Sequence, residues 1–306
     1  MNIKPVIKWV GGKRKIMDKV VNNIPDKFNN YYEPFLGGAS VFLNIPYKNS
    51  AIISDYNKDL IMLYKNIKNN PNDLMLKLNK LQNKYNGLNG IHNKKEYFVN
   101  ILKKINRLTE YTIERSALYI FINKTCFNGI MSTNKSGLLN PSFGAHEKIN
   151  LYDKDNILNF SKLLKKSVKI LNEDYKVIIM QAKKGDFVYL DPPYVPDDIT
   201  NCNYKYVGKE AWKIKDFEEL FQLYDELDKK GVYVMMSNSY SKMIKKHFNK
   251  SKYNILKVPI IRTISVDKNT RGKKYEVIIT NYKNTHTKTR KKFGKKSNNN
   301  KTIKRR

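Results

Sequence analysis

The chain has 306 residues, of which 41% are apolar, so it can bury a sizeable core and lies between one large α/β domain and two ordinary ones. Lys and Arg number 59 against 27 Asp and Glu, and the net charge of +32 favours a polyanionic partner, nucleic acid above all. A solvated surface biased towards Lys is the alternative, so the charge needs a site to support it.

Two cysteines are too few for a disulfide framework, and their spacing excludes a paired zinc motif. Since no run approaches the roughly 20 apolar residues that cross a bilayer, we expect a soluble, intracellular protein without membrane contacts.

Short apolar runs predict buried strands, and segments with helical spacing alternate with them. The predicted strands are residues 31–35, 51–54, 168–171, 187–190 and 232–237. The clearest predicted helices are residues 13–24, 57–67 and 216–227. This alternation is typical of a parallel sheet with helical crossovers, in which ligands bind at the carboxyl ends of the strands.

The middle of the chain departs from this alternation. Residues 71–121 have helical spacing without strands, and residues 123–150 form a loop rich in Gly, Asn and Ser. We interpret residues 61–150 as a helical insertion for target recognition. The catalytic domain is then discontinuous, formed by residues 1–60 and 151–283.

The end of the chain predicts a hairpin followed by a tail. Two β-rich runs, residues 253–265 and 275–282, flank a polar and strongly basic turn. Residues 284–306 are rich in Lys, Asn and Thr, and we predict that they form a disordered basic tail. Such a tail could hold DNA, act as a nuclear address or be merely solvated, so both cytoplasm and nucleus stay open as locations.

The most specific motif is Asp-Pro-Pro-Tyr, placed directly after the predicted strand at 187–190. Two prolines fix the backbone and remove two N–H donors, so carbonyls point outward beside an acidic side chain and an aromatic ring. An adenine amine is a poor nucleophile because its lone pair is delocalised into the ring. If the Asp191 carboxylate and the Pro192 carbonyl each accept one amine hydrogen, the nitrogen recovers its lone pair while Tyr194 stacks on the base. The residues predicted to be catalytic are Asp191, Pro192, Pro193 and Tyr194.

Transfer of a methyl group from a sulfonium to such an amine needs neither a metal nor a covalent enzyme intermediate. A second motif, EPFLGGAS at 33–40, follows the first predicted strand, and its glycines would let the backbone approach a nucleoside closely. An ordinary tight turn is the alternative for the glycines alone. Asp55 ends the next strand at about the spacing where an acidic side chain binds ribose hydroxyls. Together these features predict a nucleoside cofactor.

A third motif, KWVGGK at 8–13, resembles a phosphate loop only superficially. It lacks the GxxxxGK[ST] pattern, which excludes an NTPase site of that type. Trp9, the glycines and Lys13 could instead cover the amino-acid end of the cofactor, while a packed Trp and a surface Lys are the alternative.

The order KWVGGK, EPFLGGAS with Asp55, and DPPY resembles the Dam-type family of adenine-specific DNA methyltransferases, over residues 3 to about 282. The segment NKTCFNG at 123–129 is similar to the family's NRxxxNG, and MSN at 236–238 is similar to its ISN. The resemblance implies an α/β fold, the Rossmann-like sheet of class I S-adenosylmethionine-dependent methyltransferases with an inserted helical DNA-recognition domain.

The resemblance also implies partners and site residues. The methyl donor would be S-adenosylmethionine without a metal, and the substrate double-stranded DNA whose target adenine is flipped out of the helix. A cognate restriction endonuclease acting on the same site is a further expected partner, and the enzyme is expected to be a monomer. The implied cofactor-binding residues are Trp9, Lys13, Phe35, Gly37, Asp55, Asp174 and Asp191. The implied DNA-binding residues are Asn123, Asn128, Ser132 and Arg271.

Two positions depart from the family pattern. Ala39 stands where a Gly is usual, which adds a methyl group near the cofactor. Ser132 stands where family members that read GATC commonly carry Arg, the usual bidentate reader of guanine, so GATC is only a default target. These departures leave two alternatives open: a DNA-binding protein with a relict cofactor pocket, and an RNA adenine methyltransferase.

Overall fold

Seven strands form a single mixed sheet in the part of the chain that the computed structural model describes, residues 3–196, 212–249, 251–260 and 274–283. The strands are β1 (Tyr31–Glu33), β2 (Ala51–Ser54), β3 (Val168–Leu171), β4 (Phe187–Leu190), β5 (Tyr233–Ser239), β6 (Asn254–Ile260) and β7 (Lys274–Thr280). They lie in the order β3-β2-β1-β4-β5-β7-β6. The five predicted strands are confirmed, and so is the hairpin as far as its residues are described.

Five neighbouring strands run parallel. β1 pairs in parallel with β2 on one side and β4 on the other, and β3 and β5 extend these two halves. Every residue of β1, β2 and β4 is buried, which explains why their sequences are nearly continuous apolar runs. The strand order reverses between β1 and β4, and sheets of this kind bind ligands in the crevice outside the carboxyl ends of such strands.

Helices and two apolar clusters cover the sheet. Alternate residues of β4 point to opposite faces, so Phe187 and Tyr189 belong to one cluster and Val188 and Leu190 to the other. The described helices are α1 (Met17–Asn22), α2 (Lys58–Asn69), α3 (Pro71–Asn86), α4 (Gly90–Arg107), α5 (Ile113–Thr125), α6 (Lys154–Leu164), α7 (Tyr175–Ile179), α8 (Ile214–Lys229) and α9 (Lys242–His247).

The helical insertion shares its core with the sheet. Helix α2 packs against α5 and α3 of the insertion and also against α6 and β3. One continuous apolar cluster extends from Leu74 and Phe121 in the insertion to Tyr31 and Met235 in the sheet. The predicted division at residue 60 falls inside α2, so this helix joins the two parts by packing on both.

Two local predictions need correction. The predicted helix at 13–24 is split into a 3₁₀ turn, Lys13–Lys15, and α1, because Ile16 has non-helical backbone angles of φ −118° and ψ 9° while its side chain packs in the core. The predicted loop at 123–150 begins later, because α5 continues to Thr125 and therefore includes Asn123. Helix α5 is buried on all sides from Ser116 to Asn123, and its sequence there is mostly apolar, which is the pattern of a buried helix.

Some predictions fall on other parts of the chain. Arg271 and the tail at 284–306 lie outside the described residues. Among the helices of the described ranges, none has the length and apolar character required to span a bilayer. The described residues also bring together no group of three or more His, Cys, Asp or Glu side chains able to hold a metal ion.

Candidate active site

The DPPY motif lies at the carboxyl end of β4, the central crevice of the sheet. Asp191 follows Leu190 directly, and its side chain is 21% exposed. The Lys13 ammonium donates to Asp191 Oδ2 at 2.5 Å and to the Gly11 carbonyl at 2.7 Å. Two motifs that are far apart in the sequence, KWVGGK and DPPY, therefore meet through one ion pair.

Strand β5 holds the chain that follows the motif. The Val195 N–H donates to Asn238 Oδ1 at 2.9 Å, and the Ser239 hydroxyl donates to the Val195 carbonyl. The prolines of the motif are buried, and Tyr194 is half-buried. These bonds explain the role of the MSN segment, since its Asn side chain anchors the backbone next to Tyr194.

A carboxylate orders the glycine turn after β1. Asp55 Oδ2 accepts from the Gly37 N–H at 2.8 Å, and its Oδ1 accepts from the Asn57 N–H at 2.9 Å. The Tyr64 hydroxyl donates to the Gly37 carbonyl at 2.7 Å. Burial raises the pKa of Asp55 to about 6, and the backbone hydrogen bonds oppose this shift. A carboxylate that is held this way orients the turn and keeps lone pairs for a ligand.

Trp9 packs directly on this turn. Gly37 has a φ of +48°, and a Cβ at this position would lie 2.7 Å from two atoms of the Trp9 ring. A Cβ on Gly38 would lie 2.9 Å from Trp9 Cβ. Gly37 is therefore required by the indole as well as by its backbone conformation, and Gly38 by the close approach of Trp9 Cβ. Ala39 also adopts a left-handed conformation, with φ of 60°, and is fully buried, so its methyl group is part of the core.

A pocket opens beside these elements and is lined by aromatic and acidic residues. Phe35 stacks on Tyr175 with ring centroids 5.1 Å apart and an interplanar angle of 30°, and Trp212 packs against both rings. Asp174 accepts from the Lys176 N–H at 3.0 Å and so begins α7. The lining residues are Pro34, Phe35, Asp55, Tyr56, Glu173, Asp174, Tyr175, Pro193 and Trp212.

Sequence patterns did not predict several of these residues. Tyr56 directly follows Asp55 at the end of β2, and Tyr175 directly follows Asp174, which lies three residues after β3, so their positions next to predicted site residues were a usable signal. Trp212 carried no local signal, because it reaches the pocket only through the fold. The motif EPFLGGAS gives no separate signal for Glu33, which is buried and accepts from the Tyr31 hydroxyl at 2.6 Å. Burial raises the pKa of Glu33 well above its ordinary value.

The predicted DNA-binding residues do not share one environment. Asn123 is fully buried, and its amide group bonds the Lys8 N–H at 2.8 Å, the Lys8 carbonyl at 2.8 Å and the Gly129 carbonyl at 3.2 Å. Asn123 therefore connects the KWVGGK segment to the loop after α5, and its side chain is not accessible to DNA. Asn128 and Ser132 are exposed on that loop, which keeps them available for contact.

Comparisons with known proteins identify the family of the chain. A family model described as D12 class N6 adenine-specific DNA methyltransferase matches residues 9–264. The chain belongs to this family. It is 35% identical to the type II methyltransferase M.MjaIII of Methanocaldococcus jannaschii, over 92% of this chain and 100% of the relative. It is 33% identical to the type II methyltransferase M1.LlaDCHI of Lactococcus lactis subsp. cremoris, over 93% and 97%, and 26% identical to a DNA adenine methylase of Escherichia coli, over 90% and 94%.

The pocket of this adenine-specific DNA methyltransferase fits S-adenosylmethionine, the methyl donor that the family implies. The donor supplies an electrophilic methyl group when it is bound. Asp55 offers carboxylate lone pairs suited to ribose hydroxyls, and the rings of Phe35, Tyr175 and Trp212 offer apolar faces suited to a purine. Asp174 adds an acceptor at the same pocket, suited to a purine amine.

We expect the affinity for S-adenosylmethionine to fall as the pH drops through about 6, because this is the pKa of Asp55. Above this pH the ionised carboxylate can accept from ribose hydroxyls, and below it the protonated group loses acceptor capacity. Calorimetric titrations of the wild type and Asp55→Asn across this range measure the effect. Asp55→Asn should bind S-adenosylmethionine weakly at every pH, and its affinity should not change at about pH 6. An identical pH response in the two proteins would remove Asp55 from the cofactor site.

Proposed function

We propose that this methyltransferase modifies the N6 amine of a flipped adenine within a short sequence of double-stranded DNA. The observation that carries the proposal is the position of Asp191 and Tyr194 directly after β4. They lie beside a pocket whose aromatic and acidic lining is suited to bind a purine nucleoside. Asp191 and the Pro192 carbonyl accept the two amine hydrogens, which returns the lone pair to the nitrogen. Tyr194 stacks on the base and offsets part of the cost of extrusion.

The proposed cofactor site extends from Trp9 to Asp174. Asp55 and Gly37 hold the nucleoside portion, and Phe35 provides one wall. Lys13 and Asp191 close the end that faces the substrate, since their ion pair lies between KWVGGK and DPPY. Trp9 keeps the glycine turn in the required conformation by packing on it.

The proposed DNA-reading surface is the loop after α5. Asn128 is exposed with a left-handed φ of 54°, and Ser132 is exposed while its hydroxyl donates to the Asn140 carbonyl at 2.8 Å. A hydroxyl that already donates to a carbonyl is a poor replacement for a guanidinium, which can donate two hydrogen bonds to the edge of a guanine. GATC therefore remains the default target, with discrimination at the guanine expected to differ from that of an arginine reader.

The biological setting that we propose is self-marking of DNA against a cognate endonuclease. Two relatives that align over nearly their full lengths are named type II methyltransferases, which supports this setting. A monomer suffices for the proposed reaction, since one chain supplies the acceptors, the stacking ring and the pocket. The net charge of +32 supports binding to DNA phosphates.

The test is to express the full chain in a methylation-free host and to sequence plasmid DNA with detection of modified bases. We expect N6-methyladenine at one short motif. Total RNA from the same cells is analysed in parallel, because methylated RNA with unmodified DNA would favour the RNA alternative. If well-expressed protein binds DNA but neither binds S-adenosylmethionine nor modifies any nucleic acid, the proposal is wrong and a relict pocket explains the chain.

A further inference from the structure

Lys13 lies in an environment that is unusual for a lysine. Its side chain is only 3% exposed, although most of the lysines in the described part of the chain are exposed or half-buried. The ammonium bonds Asp191 Oδ2 at 2.5 Å and the Gly11 carbonyl at 2.7 Å. It also lies 5.1 Å from the centroid of the Tyr194 ring. A buried charge that is held by a carboxylate, a carbonyl and an aromatic face has one defined position.

We propose that Lys13 is a positioning residue for methyl transfer, which holds the Asp191 carboxylate ionised and turned so that Oδ1 faces the target amine. The inference rests on the proposed function and adds a role for Lys13 beyond cofactor binding. With Oδ2 engaged by the ammonium, Oδ1 is the oxygen that accepts a hydrogen from adenine. The Gly11 carbonyl fixes the ammonium in turn, so the carboxylate is oriented through a short chain of bonds.

Asp191 needs this partner because its burial disfavours a negative charge. Burial raises the pKa of Asp191, and Lys13 opposes the shift through its charge and its hydrogen bond. An ionised neighbouring acid or phenol would raise it further. The acidic and phenolic groups that face Asp191 are Tyr31 and Glu33 of β1, Tyr189 of β4 and Tyr194 of the following segment, with Glu276 of β7 beside Tyr194. Burial raises the pKa of each of these four groups, and the charge of Asp191 adds to the shift.

The protonation state of Asp191 decides whether the amine is activated. An ionised carboxylate accepts a hydrogen bond from the amine and favours the return of the lone pair to the nitrogen. A protonated carboxyl can donate to the amine instead and would oppose attack. As the nitrogen forms its new bond to the methyl carbon, the bond from that carbon to the donor sulfur breaks, and its electron pair leaves with the sulfur of S-adenosylhomocysteine. The nitrogen afterwards releases one proton, which an ionised Asp191 can also accept.

The experiment compares the full-length wild type with Lys13→Met, which keeps the length of the side chain and removes its charge. Single-turnover methylation of a duplex that contains the target is measured against pH at saturating S-adenosylmethionine. We expect the acid limb of the profile to move to higher pH, and each unit of movement lowers the rate on that limb by about tenfold. Carboxyl NMR of aspartate-labelled protein gives an independent readout, with the Asp191 signal assigned by its absence from Asp191→Asn.

The controls separate this role from others. Lys15→Met removes an exposed cation from the same turn and should leave the profile unchanged. Lys13→Arg keeps a charge and should retain the wild-type acid limb even if its maximal rate falls. This variant also gives the answer if Lys13→Met does not fold, because an acid limb that moves despite the retained charge overturns the inference.

Other outcomes are equally distinct. A Lys13→Met protein that binds S-adenosylmethionine weakly, yet keeps the wild-type acid limb and the Asp191 NMR titration, would assign Lys13 to cofactor binding alone. If the wild-type protein methylates no substrate, the proposed function is wrong. In that case the NMR titration still tests whether Lys13 lowers the proton affinity of Asp191.

Discussion

Asp191→Ala is expected to lower the single-turnover rate of methyl transfer by about 10²-fold to 10³-fold or more, since loss of one preorganised polar group at a reacting centre has effects of this size. The variant loses the acceptor that activates the amine and leaves the buried Lys13 ammonium without its carboxylate partner. Affinity for DNA should be largely retained, because phosphate contacts supply most of it. The rate is measured with radiolabelled S-adenosylmethionine, and the affinity by titration of a fluorescent duplex.

A matched control is Asp18→Ala, which removes an exposed carboxylate from α1. It should leave both the rate and the DNA affinity close to those of the wild type. Near-normal turnover by Asp191→Ala would contradict the assigned role of the DPPY motif. A parallel loss of DNA affinity would show instead that the variant damages the DNA-binding surface.

Arg115→Met is expected to lower the free energy of unfolding by about 3 kcal/mol, the lower end of the range for removal of one partner of a buried ion pair, because this pair is only half-buried. The Arg115 guanidinium bonds both oxygens of Asp59, at 2.5 Å and 2.9 Å. It also donates to the carbonyls of Ile105 and Leu108 at 2.7 Å and 2.6 Å. The variant leaves the Asp59 side chain, which is only 16% exposed, without its guanidinium partner. Urea unfolding followed by circular dichroism measures the loss.

This ion pair joins α5 of the predicted insertion to α2, the helix that follows Asp55. Arg115 lies on α5, and Asp59 lies in the first turn of α2, shortly after Asp55. Glu114→Gln is the matched control, since it breaks the exposed pair between Lys104 and Glu114 and should cost less than about 1 kcal/mol. If Arg115→Met kept its stability but changed the methylated sequence, Arg115 would be a base reader instead of a structural residue.

The sequence alone determined the parts of this protein that depend on local order. Apolar runs predicted the five parallel strands, because strands buried on both faces need nearly continuous apolar sequence. The acidic residues Asp55 and Asp191 were found because they follow such strands directly, where parallel sheets bind ligands. The chain order of the three motifs then identified the family, which the D12 family match confirmed. The roles of individual residues remain predictions.

Only the tertiary structure decided which of these residues meet. Lys13 and Asp191 are separated by 178 positions, and no periodic pattern relates residues at such a distance. Asn123 had the sequence position of a DNA contact but is buried against Lys8, 115 positions away. Trp212 joins the aromatic wall of the pocket in the same long-range way. Sequence patterns report the period of a helix or strand, whereas the partner of a buried polar group depends on how distant elements pack and which charges they bring together.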